Sequence, residues 1–92
     1  MMLLIIMNIN QLISIVNNKL ENNIVFQSIN VEDKTFLHKS HKNHKEGKFH
    51  IKITIKSLEL KQLNKVQASK KIYNILQEEL KKYIHSIQIL IN

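Results

Sequence analysis

FHIKITIKS, residues 49–57, decides how this chain folds. Phe49, Ile51, Ile53 and Ile55 share one parity, and His50, Lys52, Thr54 and Lys56 the other. A period of two with apolar and polar residues on alternate positions describes a strand with one buried face and one wet face. A sheet that is wet on one side needs helices on the other, so the flanking sequence should supply amphipathic helices.

It does so on both sides. Upstream, Ile9, Leu12, Ile13, Val16 and Leu20 recur at three- and four-residue spacing, one face of a helix. Asn8, with Gln11 three positions later, has the pattern of a capping box, and the Asn-rich residues 17–23 mark the end of the helix. Residues 24–31 are rich in β-branched and aromatic side chains, with Val25, Ile29 and Val31 on one parity, and predict a strand. The polar residues 32–48 predict an exposed connection. Downstream, residues 62–82 return to helical spacing through Leu63, Val66, Ile72, Tyr73, Ile75, Leu76, Leu80 and Tyr83. The pattern is interrupted near residues 69–71, which gives two helices or one bent helix. Glu78 and Lys82 stand at i,i+4. Residues 84–91 alternate again, with His85, Ile87, Ile89 and Ile91 on one parity, and predict a last strand. The order is αββααβ, an α+β fold with a three-stranded sheet and helices on one face.

The chain has 92 residues and reads as a single domain. The apolar stretch 1–7 is too short to span a bilayer or to make a signal peptide, so a cytoplasmic protein with no membrane contact is expected. Those residues are a lead-in to the first helix, disordered or loosely docked, or sequence ahead of a true start at Met7. There is no cysteine, which excludes disulfides and any self-contained thiolate metal site. The formal charge is +7, carried by fourteen basic residues that are all Lys. Without Arg there is no bidentate fork to read guanine edges, and only weak, salt-sensitive attraction to polyanions remains.

Four of the five histidines, His38, His41, His44 and His50, lie within residues 38–50 beside the single glycine, Gly47. The spacing of His38, His41 and His44 would let two imidazoles reach one metal ion, and it equally suits a solvated Lys/His loop. His50 shares its strand parity with Lys52 and Thr54 and reads as a surface residue that shapes the loop before it. Enzyme chemistry is not expected. There is no nucleophile with a positioned base and no Gly-rich phosphate loop, and Glu78 and Glu79 occupy adjacent, diverging helix positions.

Three stretches together resemble the BolA family, over about residues 31–89. VEDKTFLHKSH is similar to the family's run of Val, Asp, Ser and a following His, here Val31, Asp33, Thr35 and His38, with a second loop histidine at His41. GKFHIKITIKS is similar to its Gly, His and alternating strand ending in Ser, here Gly47, His50, Ile51, Ile53, Ile55 and Ser57. KKIYNILQEELKKYIHSIQI is similar to its Ile–Tyr helix and closing Ile–His, here Ile72, Tyr73, Leu76, Glu79, Leu80, Ile84, His85 and Ile87. The chain departs from the family at Leu60-Lys61-Gln62, where Phe-x-Gly is usual, and at Ala68-Ser69-Lys70, where Arg-His-Arg is usual.

The resemblance implies a fold like the class II KH domains. It also implies a monothiol glutaredoxin as partner, with a [2Fe–2S] cluster shared between the two proteins and glutathione in iron–sulfur trafficking or iron homeostasis. The metal ligands carried over are His85 and His38, with His41 as a further candidate, and the free chain is expected to be a monomer or weak homodimer. Some relatives act instead as DNA-binding regulators of stress response and cell morphology. In this chain Lys65, Lys70 and Lys71 would then meet the nucleic acid, and loss of the Arg-His-Arg patch weakens that reading. The GXXG clamp of nucleic-acid-binding KH modules is absent.

Overall fold

A computed structural model describes residues 7–35 and 48–92. Among them the elements run α1 (Ile9–Asn23), β1 (Ser28–Asp33), β2 (Phe49–Lys56), α2 (Leu58–Lys61), α3 (Lys65–Ile75), α4 (Gln77–Lys82) and β3 (Ile84–Ile91). The α+β architecture is the expected one; the helical stretch 62–82 holds two helices, α3 and α4, and a further short helix, α2, precedes it.

The stretch 49–57 forms the middle strand of a sheet ordered β1-β2-β3. It pairs antiparallel with β1, Val31 opposite Ile53, and parallel with β3, Ile53 opposite Ile89. Ile51, Ile53 and Ile55 are buried and join Leu12, Val16 and Leu20 of α1, Leu60 of α2, Ala68 and Ile72 of α3, Leu76 and Ile84 in one core. α1, α2 and α3 deliver their buried residues to this cluster and Leu80 of α4 packs against it, so all four helices cover the same face of the sheet. Lys52, Thr54 and Lys56 lie on the opposite face, which is partly solvated. Crossing from antiparallel β2 to parallel β3 requires a long connection, which α2, α3 and α4 supply.

Local chemistry sets the helix ends. Asn8 accepts from the Gln11 backbone N–H at 2.8 Å and the Gln11 side chain accepts from the Asn8 N–H at 3.1 Å, completing the capping box. Ser57 ends β2 and caps α2. Its hydroxyl donates to the Val25 carbonyl at 2.7 Å and accepts from the Leu60 N–H at 3.1 Å. Asn64 caps α3 through the Gln67 N–H at 2.8 Å.

Several expectations are corrected. The first strand starts at Ser28 rather than at 24, because Ile24 is the C-cap of α1, and Val25 is 70% exposed. Residues 69–71 are continuous within α3. The break falls at Leu76, which ends α3 and begins α4 with φ −98° and ψ 19°. The stripe that α3 buries is Ala68 and Ile72, while Val66 and Tyr73 are exposed. Gln62 takes φ −74°, right-handed backbone that needs no glycine. Glu78 turns toward Lys19 at 3.9 Å rather than to Lys82.

Candidate functional site

His85 opens β3, and the register of the parallel pair explains where its side chain goes. Phe49 lies opposite Ile84, while the next residue of β2, His50, lies opposite Ser86. Two residues of β3 therefore answer one step of β2, and His85 is the extra residue of a β-bulge. Simple alternation would put His85 on the helix face with Ile87, Ile89 and Ile91. The bulge releases it, and its side chain is exposed at the end of the sheet. Ahead of the bulge, the Phe49 N–H donates to the Tyr83 carbonyl at 2.8 Å, which fixes the beginning of β2 against the end of α4.

The ring of His50 meets that of His85 edge-on, with centroids 5.0 Å apart and planes at 63°. His50 is only 6% exposed, which corrects its assignment as a surface residue. Its strand parity is the wet one, but Ser86 and Thr35 close over it. Nδ1 lies 2.5 Å from the Ser86 hydroxyl oxygen, and the backbone N–H donates to Thr35 Oγ1 at 3.2 Å. Its carbonyl accepts from the Lys34 N–H at 2.7 Å. Thr35, also buried, is held by Asp33, whose Oδ1 accepts from both the Thr35 N–H at 2.9 Å and the Thr35 hydroxyl at 2.5 Å. These contacts give a structural reason for the spacing of Asp33 and Thr35: a side chain that accepts from the backbone two residues on makes a local turn at the end of β1.

Lys34, His50, Lys52, Ser86 and Gln88 line a shallow cavity of about 200 Å³ on the same face. Lys34 pairs with Glu32 at 3.3 Å, and Lys48 donates to the Lys81 carbonyl at 3.3 Å. The setting of the two imidazoles is thus basic. Behind it, α4 is anchored by Glu79, 4% exposed, whose carboxylate accepts from Lys19 Nζ at 2.8 and 2.9 Å. That hydrogen bond raises the pKa of Lys19 above the ordinary lysine value.

His38 and His41, and with them His44, Gly47, Lys39, Lys42 and Lys45, lie outside the described residues. Among the described residues no three His, Asp or Glu side chains gather where they could hold a metal ion by themselves. An exposed imidazole at a strand end fits a site completed from outside, because a second protein can approach it. Thiolates for such a site would have to come from that protein, since this chain has none. Lys65 and Lys70 are exposed on α3, whereas Lys71 is half-buried and lies 3.6 Å from Glu59. No helix among the described residues is long and apolar enough to cross a membrane.

The role of Ser86 as a neighbour of His50, and the burial of His50 itself, are the features of the site that sequence reasoning missed. One signal was present: Ile84 and Ile87 are both apolar and differ in parity, which marks a change of phase between them.

A family model for BolA-like proteins matches residues 20–92. Among solved structures, BolA1 from Arabidopsis thaliana is 24% identical, with 86% of this chain and 87% of that one covered at a TM-score of 0.73. The BolA domain of SufE1 from Arabidopsis thaliana is 24% identical, with 94% and 93% covered at a TM-score of 0.73. A Bol-like protein from Babesia bovis is 17% identical, with 85% and 79% covered at a TM-score of 0.65. No curated protein matches the chain.

Proposed function

This chain belongs to the BolA-like protein family, and on that premise we propose that it is a non-enzymatic accessory protein that binds a monothiol glutaredoxin and shares a [2Fe–2S] cluster with it. Its place would be in iron–sulfur cluster trafficking or iron homeostasis. The observation that carries this reading is the position of His85, an exposed imidazole lifted out of strand alternation by a bulge. His85 would be a ligand from this chain, with His38 or His41 as a second; the thiolates would come from the glutaredoxin and glutathione.

The physical logic follows from charge. A cluster held by thiolates alone is strongly negative, and exchanging one thiolate for a neutral imidazole removes negative charge and tends to raise the reduction potential. Lys34, Lys48 and Lys52 flank His50 in sequence or in the cavity beside it, and would speed the approach of an acidic partner surface more than they strengthen the final complex.

The test is co-expression with a monothiol glutaredoxin. A brown heterocomplex should form whose visible circular dichroism differs from that of the glutaredoxin homodimer, and His85→Ala should abolish the difference. Identical spectra for the wild-type mixture and the homodimer would refute the reading.

A further inference from the structure

We infer that His50 is a positioning residue for His85, holding the His85 imidazole in place and tying it to the turn that Asp33 and Thr35 make at the end of β1. This rests on the proposed role of His85 for its functional meaning, but the positioning itself is a property of the chain alone.

An exposed side chain on a β-bulge has several staggered rotamers open to it. The ring of His50, edge-on at 5.0 Å, restricts that choice. It can do so only if it is itself fixed, and it is fixed by polar contacts. Ser86 holds Nδ1 of the ring, Thr35 accepts from the backbone N–H, and the backbone carbonyl accepts from Lys34. Thr35 in turn uses its hydroxyl in two directions, donating to Asp33 and accepting from His50, within the capacity of one hydroxyl group.

The result is a continuous relay of contacts, Asp33 to Thr35 to His50 to His85, with Ser86 bracing the third member. It joins the end of β1, where the segment that carries His38 and His41 departs in sequence, to the start of β3. Two stretches far apart in the chain are thereby registered to one another by one buried ring. Ligands held by packing and by a supporting layer of hydrogen bonds meet an incoming group with less reorganisation than ligands left to find their own geometry.

The first arm of the test is NMR on the metal-free chain, reading the His85 ring resonances and the NOE between the His50 and His85 rings. Ser86→Ala removes the brace but keeps both histidines; His50→Ala removes the contact. In each, the His85 ring signals should move toward their values in an unstructured peptide. With Ser86→Ala the NOE should also weaken, and amide signals away from the site should stay put. Unmoved His85 signals in both variants would overturn the inference. Should His50→Ala fail to fold, Ser86→Ala alone decides.

The second arm uses the complex with the glutaredoxin. Ser86→Ala, with His85 intact, should alter the visible circular dichroism of the shared cluster, and an unaltered spectrum would deny the brace any effect on ligation. Failure of the unmodified chain to share a cluster would instead strike at His85 as a ligand, leaving the NMR result to decide the positioning.

Discussion

Ile84 and Ile87 face the same side of the sheet, opposite Phe49 and Ile51, although they stand three positions apart in one strand. Strict alternation would place them on opposite faces. The extra residue between them, His85, lets the core receive both isoleucines and sends the imidazole outward.

Deleting His85 should therefore be tolerated by the fold. His85→Ala changes an exposed side chain and should shift stability by no more than about 0.5 kcal/mol. Deletion leaves Ile84 and Ile87 two positions apart, so plain alternation keeps both on the core face opposite Phe49 and Ile51. Deleting His85 and Ser86 together leaves the two isoleucines adjacent and forces one of them out of the core, a loss of about 2–5 kcal/mol. Urea unfolding of the three variants side by side measures the difference, and a single deletion as damaging as the double one would show that His85 is not the extra residue of the register.

Much of this arrangement could be read from the residues. The alternation of β2, the capping box of Asn8 and Gln11, and the limits of β3 follow from local chemistry that tertiary packing does not override. What could not be read depends on contacts between distant segments. His50 has the parity of a wet residue, and it is buried where Thr35, beyond the end of β1, and Ser86 of β3 meet it. His85 has the parity of a buried residue and is exposed because a bulge intervenes. Val25 has the composition of a strand residue, but its N–H and carbonyl are taken by Glu59 and Ser57, which hold it in a link outside the sheet. Of the three candidate ligands, His85 can be placed, while His38 and His41 belong to residues 36–47, outside those described.

Lys19 and Glu79 join α1 to the helix that precedes His85. Glu79 is nearly inaccessible while Lys19 is about one-third exposed, so the carboxylate is the member that suffers when the pair is broken. Lys19→Met should cost about 1–3 kcal/mol, the penalty for a buried acceptor left without its donor. The pH dependence has a definite sign. The lysine pKa is raised in the folded state, so the contribution is fully present below the ordinary lysine value of about 10.4 and is lost as pH rises through the raised value. Unfolding curves from pH 7 upward should show a constant gap between wild type and Lys19→Met that narrows only in the alkaline limb.

Ser57 serves two elements with one hydroxyl, donating to the Val25 carbonyl and accepting from the Leu60 N–H, with its side chain wholly buried. Ser57→Ala should cost about 1–2 kcal/mol through the lost cap, with part of the loss arising from the stranded carbonyl. Ser57→Thr keeps the hydroxyl but adds a methyl group where there is no space, so it should recover only part of the loss. Equal stability of wild type and Ser57→Ala in urea would refute the assignment.

The lysines of α3 bear on the nucleic-acid reading. Lys65 and Lys70 are exposed, but Lys71 is already engaged by Glu59 at 3.6 Å, so the three do not form an equivalent set. Point charges of this kind attract phosphate without distinguishing bases. Binding to duplex DNA should thus weaken steeply with salt and ignore sequence. Each lysine that neutralises a phosphate contributes about 0.9 to the slope of log affinity against log salt. Lys65→Ala and Lys70→Ala should each lower that slope by about 1 if they touch the backbone, whereas Lys71→Ala should lower it less and also remove the ion pair with Glu59. Fluorescence anisotropy across a salt series with two unrelated duplexes measures all three. A preference for one duplex that persists at physiological salt would require base contacts that these lysines do not supply, and would restore the regulator reading.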